Sequence, residues 1–156
     1  VNIGATGTEH GATEPQLEKA VSLIAKRIKR YGSARLCQGC CIGFDEQITV
    51  AAKERWPDEV FICAHPPLLV AKLSQQAVDL SDRVMPAKDY LSRDRDIVRH
   101  GRDWVVGAPE GFRYRTRGSG TWYTLTYAVD HERPSTVVFP DGTIRSGWSA
   151  LGRGAR

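Results

Sequence analysis

Apolar positions recur along this chain with two alternating periods. Val1 to Ala5 is a short apolar run that reads as a strand. Leu17, Val21, Ile24, Ile28 and Tyr31 then return every three or four residues, which places them on one face of a helix. Thr13, with Gln16 three residues on, has capping-box spacing; Pro15 suits the first turn and Gly32 supplies a stop. Ala34 to Cys37 predicts a second strand, and Phe44 to Trp56 a second helix that ends before Pro57. Val60-Phe61-Ile62-Cys63-Ala64 is compact and apolar, as a strand covered on both faces would be. From 65 to 88 no single period holds, and Pro66-Pro67 imposes an extended start. A helix over Tyr90–His100, a strand over Trp104–Gly107, a helix over Trp122–His131 and a strand over Thr136–Phe139 complete the series. Asp141-Gly142 marks a turn. Residues 1–145 read as one domain, and 146–156 as a loose C-terminal tail.

Short strands alternating with amphipathic helices predict parallel strands joined by right-handed crossovers. The expected fold is therefore a Rossmann-like, three-layer α/β domain with about five parallel strands flanked by helices. In such sheets, ligands bind beyond the carboxyl ends of the strands, where the strand order reverses.

Composition narrows the functional classes. Hydrophobic residues make up 41% and charged residues 26% of the 156, which excludes a disordered chain. No apolar run reaches the ~18 residues of a membrane span, and no basic stretch precedes an apolar leader. The expectation is a cytoplasmic protein without a membrane partner. The net charge of +4 is modest for a dedicated nucleic-acid binder. Lys26, Arg27, Lys29 and Arg30 crowd one helix end, where cations suit the macrodipole. Cys37, Cys40 and Cys41 form a C-x-x-C-C group, with Cys63 remote. A structural zinc site takes two such pairs, or one pair with paired histidines, and the spacing provides neither. No metal or cofactor is expected, and the cysteines read as small buried residues around a tight turn in a reducing compartment.

Glycine-rich turns carry the candidate chemistry. Gly4-Ala5-Thr6-Gly7 follows the first apolar residues, and Gln38-Gly39-Cys40-Cys41-Ile42-Gly43-Phe44-Asp45 follows the second strand. Arg117-Gly118-Ser119-Gly120-Thr121 opens the helix after the 104–107 strand. Such turns let backbone N–H groups approach a phosphate, and a helix N-terminus adds partial positive charge. The alternative is that the glycines serve the turns alone. Neither G-x-G-x-x-G nor G-x-x-x-x-G-K-[ST] occurs in these turns, which disfavours a standard NAD site and a P-loop NTPase. Asp45 accepts a ribose hydroxyl or steadies a helix start. Arg93 offers a phosphate fork, whereas Arg95 reads as a surface ion-pair partner of Asp94 and Asp96. Arg113, Arg115 and Arg117 around Tyr114 suit either an unpaired nucleic-acid strand or one nucleotide's phosphates.

Taken in order, Ile3-Gly4-Ala5-Thr6-Gly7, Gln38 to Asp45, Arg93 and Gly118-Ser119-Gly120-Thr121 resemble the SLOG superfamily over about residues 2–143. That superfamily joins the DNA-processing protein DprA to the LOG cytokinin-activating phosphoribohydrolases. The resemblance implies a homodimeric nucleotide-binding or sensing domain. Gly4, Ala5, Thr6, Gly7, Gly39, Gly43, Asp45, Arg93, Arg117, Gly118, Ser119, Gly120 and Thr121 would contact the ligand or its phosphate. It also implies two alternatives: a LOG-like nucleoside monophosphate phosphoribohydrolase and a DprA-like single-stranded DNA binder. The LOG motif P-G-G-x-G-T-x-x-E carries a catalytic glutamate where this chain has Thr124, and Arg117 replaces a glycine. Asp45 and Glu110 are the remaining carboxylate candidates for catalysis.

Overall fold

A computed structural model describes residues 1–153. The elements run β1 (Asn2–Gly7), α1 (Glu14–Tyr31), β2 (Ala34–Gln38), α2 (Phe44–Arg55), β3 (Val60–Ala64), a 3₁₀ turn (Val70–Lys72), α3 (Gln75–Asp79) and β4 (Arg83–Val84). They continue α4 (Tyr90–His100), β5 (Trp104–Ala108), α5 (Gly120–Asp130), β6 (Ser135–Val138), β7 (Ile144–Ser146) and α6 (Gly147–Ala150). The sheet has seven strands in the order β4-β3-β2-β1-β5-β6-β7. Pairings from β4 through β6 are parallel, and β7 runs antiparallel to β6. The α/β class is as expected, with more strands than the five anticipated.

Helix α1 forms where its apolar stripe demands. Thr13 caps it reciprocally with Gln16, Pro15 sits in its first turn, and Gly32 ends it at φ +85°. Ala20, Val21, Ile24 and Ile28 are buried against Ile3, Ala5, Leu36, Ile62 and Trp104 on one face of the sheet. Each large aliphatic side chain so buried contributes ~2 kcal/mol. Val98, Val105, Trp122, Leu125, Ala128 and Val137 form the core on the other face. Strand β5 serves both faces, with Trp104 and Val106 in one core and Val105 in the other.

Two sequence expectations change here. Gly4 and Ala5 lie inside β1 and are buried, so they form no turn. Gly4 instead allows α4 to press onto the strand: a Cβ there would lie 2.9 Å from the Ile97 carbonyl oxygen. The second correction concerns the tail. Ser146 closes β7 and caps α6, and Leu151 is buried in the second core. The last part of the expected tail, 154–156, lies outside the described residues.

Candidate functional site

The chain builds β1 to β4 outward in one direction and then returns to place β5 on the other side of β1. Crossovers therefore diverge at the carboxyl ends of β1 and β5, the place where open α/β sheets leave a crevice. The β2–α2 turn, the first half of α4 and the start of α5 meet near this point.

Arg93 ties them together from below. Its side chain is buried, and Nη1 donates to the Gly39 carbonyl oxygen at 2.5 Å and to Cys41 Sγ at 3.5 Å. Nε stands 3.0 Å from Asp94 Oδ1, an ion pair without hydrogen-bond alignment. Gly39 is required for this approach, because a Cβ there would lie 2.1 Å from Nη1. Neighbouring Cys40 adopts φ +58°, a left-handed conformation unusual for a side-chain-bearing residue, while its N–H donates to Gln38 Oε1 at 2.5 Å.

Two carboxyls flank this guanidinium. Asp45, in the first turn of α2, accepts the Cys41 N–H through Oδ2 at 3.1 Å, and its buried Oδ1 has no hydrogen-bond partner among the described residues. Burial raises Asp45 to about 6, against the opposing pull of Arg93 and of the Cys41 and Gly39 amides. Asp94 is 3% exposed and stands close to the start of α5: a Cβ on Gly120 would lie 3.7 Å from its Oδ2. Burial lifts Asp94 to about 7; Arg93 and the Thr124 hydroxyl pull the other way, while the Asp45 charge adds to the rise. One fixed cation thus faces two carboxyls that titrate near neutrality.

Above them, α5 opens outward. Ser119 caps it by accepting the Trp122 N–H at 3.3 Å, Gly118 adopts φ +70°, and both Gly118 and Gly120 are exposed. Thr121 is buried, and Thr124 turns its hydroxyl back to the Gly120 carbonyl at 2.8 Å. Gly7 ends β1 packed against Phe44, where a Cβ would lie 2.4 Å from the ring, and Thr6 is buried just before it. Gly43, at φ +88°, brings the α2 start onto the Thr8 carbonyl.

Of the other candidates, Arg115 lies at the loop itself, its Nη2 3.4 Å from where a Cβ on Gly118 would be, and the rest are exposed or engaged elsewhere. Glu110, Arg113, Arg115 and Arg117 are exposed in the loop from β5 to α5, where Tyr114 packs edge-on against Trp122 at 5.4 Å. Among the described residues Arg95 forms no ion pair with Asp94 or Asp96; its Nε donates to the Tyr123 hydroxyl at 3.0 Å beside a shallow groove lined by Lys88, Asp89, Ser92, Asp96 and Arg99. Within the basic cluster of α1, Arg27 stacks on the Trp104 ring, 3.4 Å from its centroid.

Two groupings escaped the sequence. Asp94 read as a surface ion-pair partner, and only the packing of α4 against α5 brings it to Gly120 and Thr124. Cys37 and Cys63 occupy paired register positions on β2 and β3, with His65 one residue past the end of β3. The Cys37 thiol beside it draws Cys63 well below the usual thiol range, and the same contact with burial pushes Cys37 up. Cross-strand register carries no linear motif, so no spacing could have announced it.

No protein-family model and no curated protein matches the chain. Among solved structures it is similar to TM1055, determined by X-ray crystallography as a Northeast Structural Genomics Consortium target. The TM-score is 0.56 at 14% identity, over 86% of this chain and 72% of that one. The chain has a Rossmann-like α/β fold.

Proposed function

We propose that this domain binds a nucleotide-type ligand, with its phosphate held at the start of α5. The observation that carries the reading is the open N-terminus of an eleven-residue helix, free of side chains at Gly118 and Gly120, at the strand-order reversal. Its amides and partial positive charge suit a phosphate. The unpartnered buried Oδ1 of Asp45 supports the reading as an acceptor for a ligand hydroxyl. Arg93 takes a different part from the one its residue type suggests. Committed to Gly39, Cys41 and Asp94, it holds the turn in place.

A second reading rests on Asp94. Its carboxyl approaches Gly120 and Thr124, the positions at which the LOG motif has a glycine and its catalytic glutamate. A carboxyl titrating near 7 in that place suits general acid–base work on an N-glycosidic bond. In that case free base is released from AMP, and Asp94→Asn abolishes the release. Single-stranded DNA is less favoured, since the exposed arginines of the β5–α5 loop are few and Arg27 is stacked on Trp104.

Calorimetry with nucleoside mono- and diphosphates and ADP-ribose tests the main reading. Gly120→Leu should fold, because a Cβ there meets nothing closer than 3.7 Å, and should abolish binding. Gly111→Leu, in open space, should bind as before. No heat with any nucleotide, or equal affinity in Gly120→Leu, overturns it.

A further inference from the structure

Parallel register sets Cys37 of β2 directly beside Cys63 of β3. Period-2 alternation turns both side chains to the same face, away from the core built on Leu36 and Ile62. His65 follows at the carboxyl end of β3, where its amide donates to the Gln38 carbonyl at 2.8 Å. The two sulfurs and one imidazole nitrogen of His65 lie within 4.8 Å of one another. Cys37, Cys63 and His65 are 0%, 3% and 2% exposed, and none of the cysteines is disulfide-bonded.

His65 Nε2 is buried and has no hydrogen-bond partner among the described residues. A buried polar atom left in that state costs ~1–3 kcal/mol, so a partner for it would be stabilising. Around the cluster, the His100 ring stands edge-on to His65 with centroids 4.9 Å apart. Asp96, on the same helix as His100, accepts from Lys88 Nζ through Oδ2 at 2.6 Å.

We propose that Cys37, Cys63 and His65 form a binding site for a thiophilic cation of the Zn²⁺ type, lying beneath the turn that carries Gly39. Two sulfurs and one imidazole are a borderline-soft donor set, the kind that holds Zn²⁺ with one position left for water or a further ligand. Tetrahedral coordination at the Zn–S and Zn–N bond lengths sets ligand atoms about 3.5–3.8 Å apart, inside the 4.8 Å within which these three already lie. His100, exposed on the last turn of α4 with its ring edge-on to His65, stands beside the cluster. Cys40 and Cys41 take no part, since Cys41 is bonded to Arg93 and Cys40 lies on the turn with it. The site is independent of any nucleotide at α5.

Titration of the reduced full chain with Co²⁺, under a phosphine reductant, tests this directly. One equivalent should enter with the intense visible absorption of a tetrahedral thiolate-bound centre, and Zn²⁺ should displace it. Outer-shell changes alone cost 10–100-fold, so Cys37→Ser, Cys63→Ser and His65→Gln should each weaken Zn²⁺ binding by more than ~100-fold. Cys40→Ser and Cys41→Ser should leave the affinity unchanged. Failure of the unmodified chain to take up Co²⁺ overturns the proposal without reference to any variant. So does uptake that survives Cys63→Ser, or that is lost in Cys41→Ser while circular dichroism shows that variant folded.

Discussion

Replacing Arg93 by methionine keeps the packing volume of the side-chain stem and removes the guanidinium that faces Asp45 and Asp94. The two carboxyls are 5% and 3% exposed, so neither can turn to water without local opening. Breaking a buried pair by removing one partner costs ~3–5 kcal/mol, because a charge is left uncompensated. The loss must depend on pH, and its sign follows from the direction of the shifts. Asp45 titrates at about 6 and Asp94 at about 7 in the folded chain, both above the ordinary 3.8. The folded state therefore holds more protons than the unfolded one between about pH 4 and pH 7. The stability these groups contribute is complete below about pH 4 and is lost as pH rises through their folded values. For Asp45 the rise from 3.8 to about 6 corresponds to ~3 kcal/mol, at ~1.4 kcal/mol per pH unit. Without the cation, both values climb further and the loss window extends upward. Urea unfolding at pH 5 and pH 8 should show Arg93→Met destabilised by ~3–5 kcal/mol at pH 8, and by no more than about half that at pH 5. Equal losses at the two pH values, or a loss below ~1 kcal/mol at pH 8, would refute the electrostatic account of this cluster.

Two further outcomes follow from packing and capping. Gly101→Ala should lower stability by ~3 kcal/mol or more, since its Cβ would lie 2.2 Å from the Gly4 backbone nitrogen. Gly32→Ala meets no atom within 4 Å and should cost only ~1 kcal/mol through its φ of +85°, so thermal melts separate crowding from conformational strain. Thr13→Ala should cost ~1–2 kcal/mol by removing both the Gln16 N–H cap and the bond to the Pro140 carbonyl. Thr13→Ser should retain most of it, and denaturant midpoints at matched m-values decide between the two.

The parts of the fold that sequence reveals are those in which local pattern and tertiary burial agree. Helix α1 carries stripe, cap and stop together, and β3 is a short apolar run ending at the residue where it was expected to end. Elements α3 and β4, of five and two residues, are too short for any period to register. Strand β7 is exposed along its whole length, so no alternation marks it, and it forms because β6 offers an edge. A glycine in a strand and a glycine in a turn look alike in sequence. Gly4 is distinguished only by α4 crowding onto it from residues 97 to 101. The candidate site divides in the same way. The Gly118–Thr121 helix start is local and readable, whereas Asp94 at Gly120 and Cys37 at Cys63 arise from strand register and helix packing across long separations.

The order in which this sheet can be completed follows from its strand sequence. Every β1–β5 pair, from Ile3–Trp104 to Gly7–Ala108, joins residues 101 positions apart. During synthesis at ~5–20 residues per second, β1 therefore waits roughly 5–20 seconds with one edge bare. That edge is the middle of the finished sheet, and an unpaired, apolar strand edge is a template for pairing with another chain. Closing it depends on the largest loop-closure entropy the sheet has to overcome, which slows folding. Chaperone dependence of the nascent chain should accordingly peak before residue 104 emerges and fall once β5 docks.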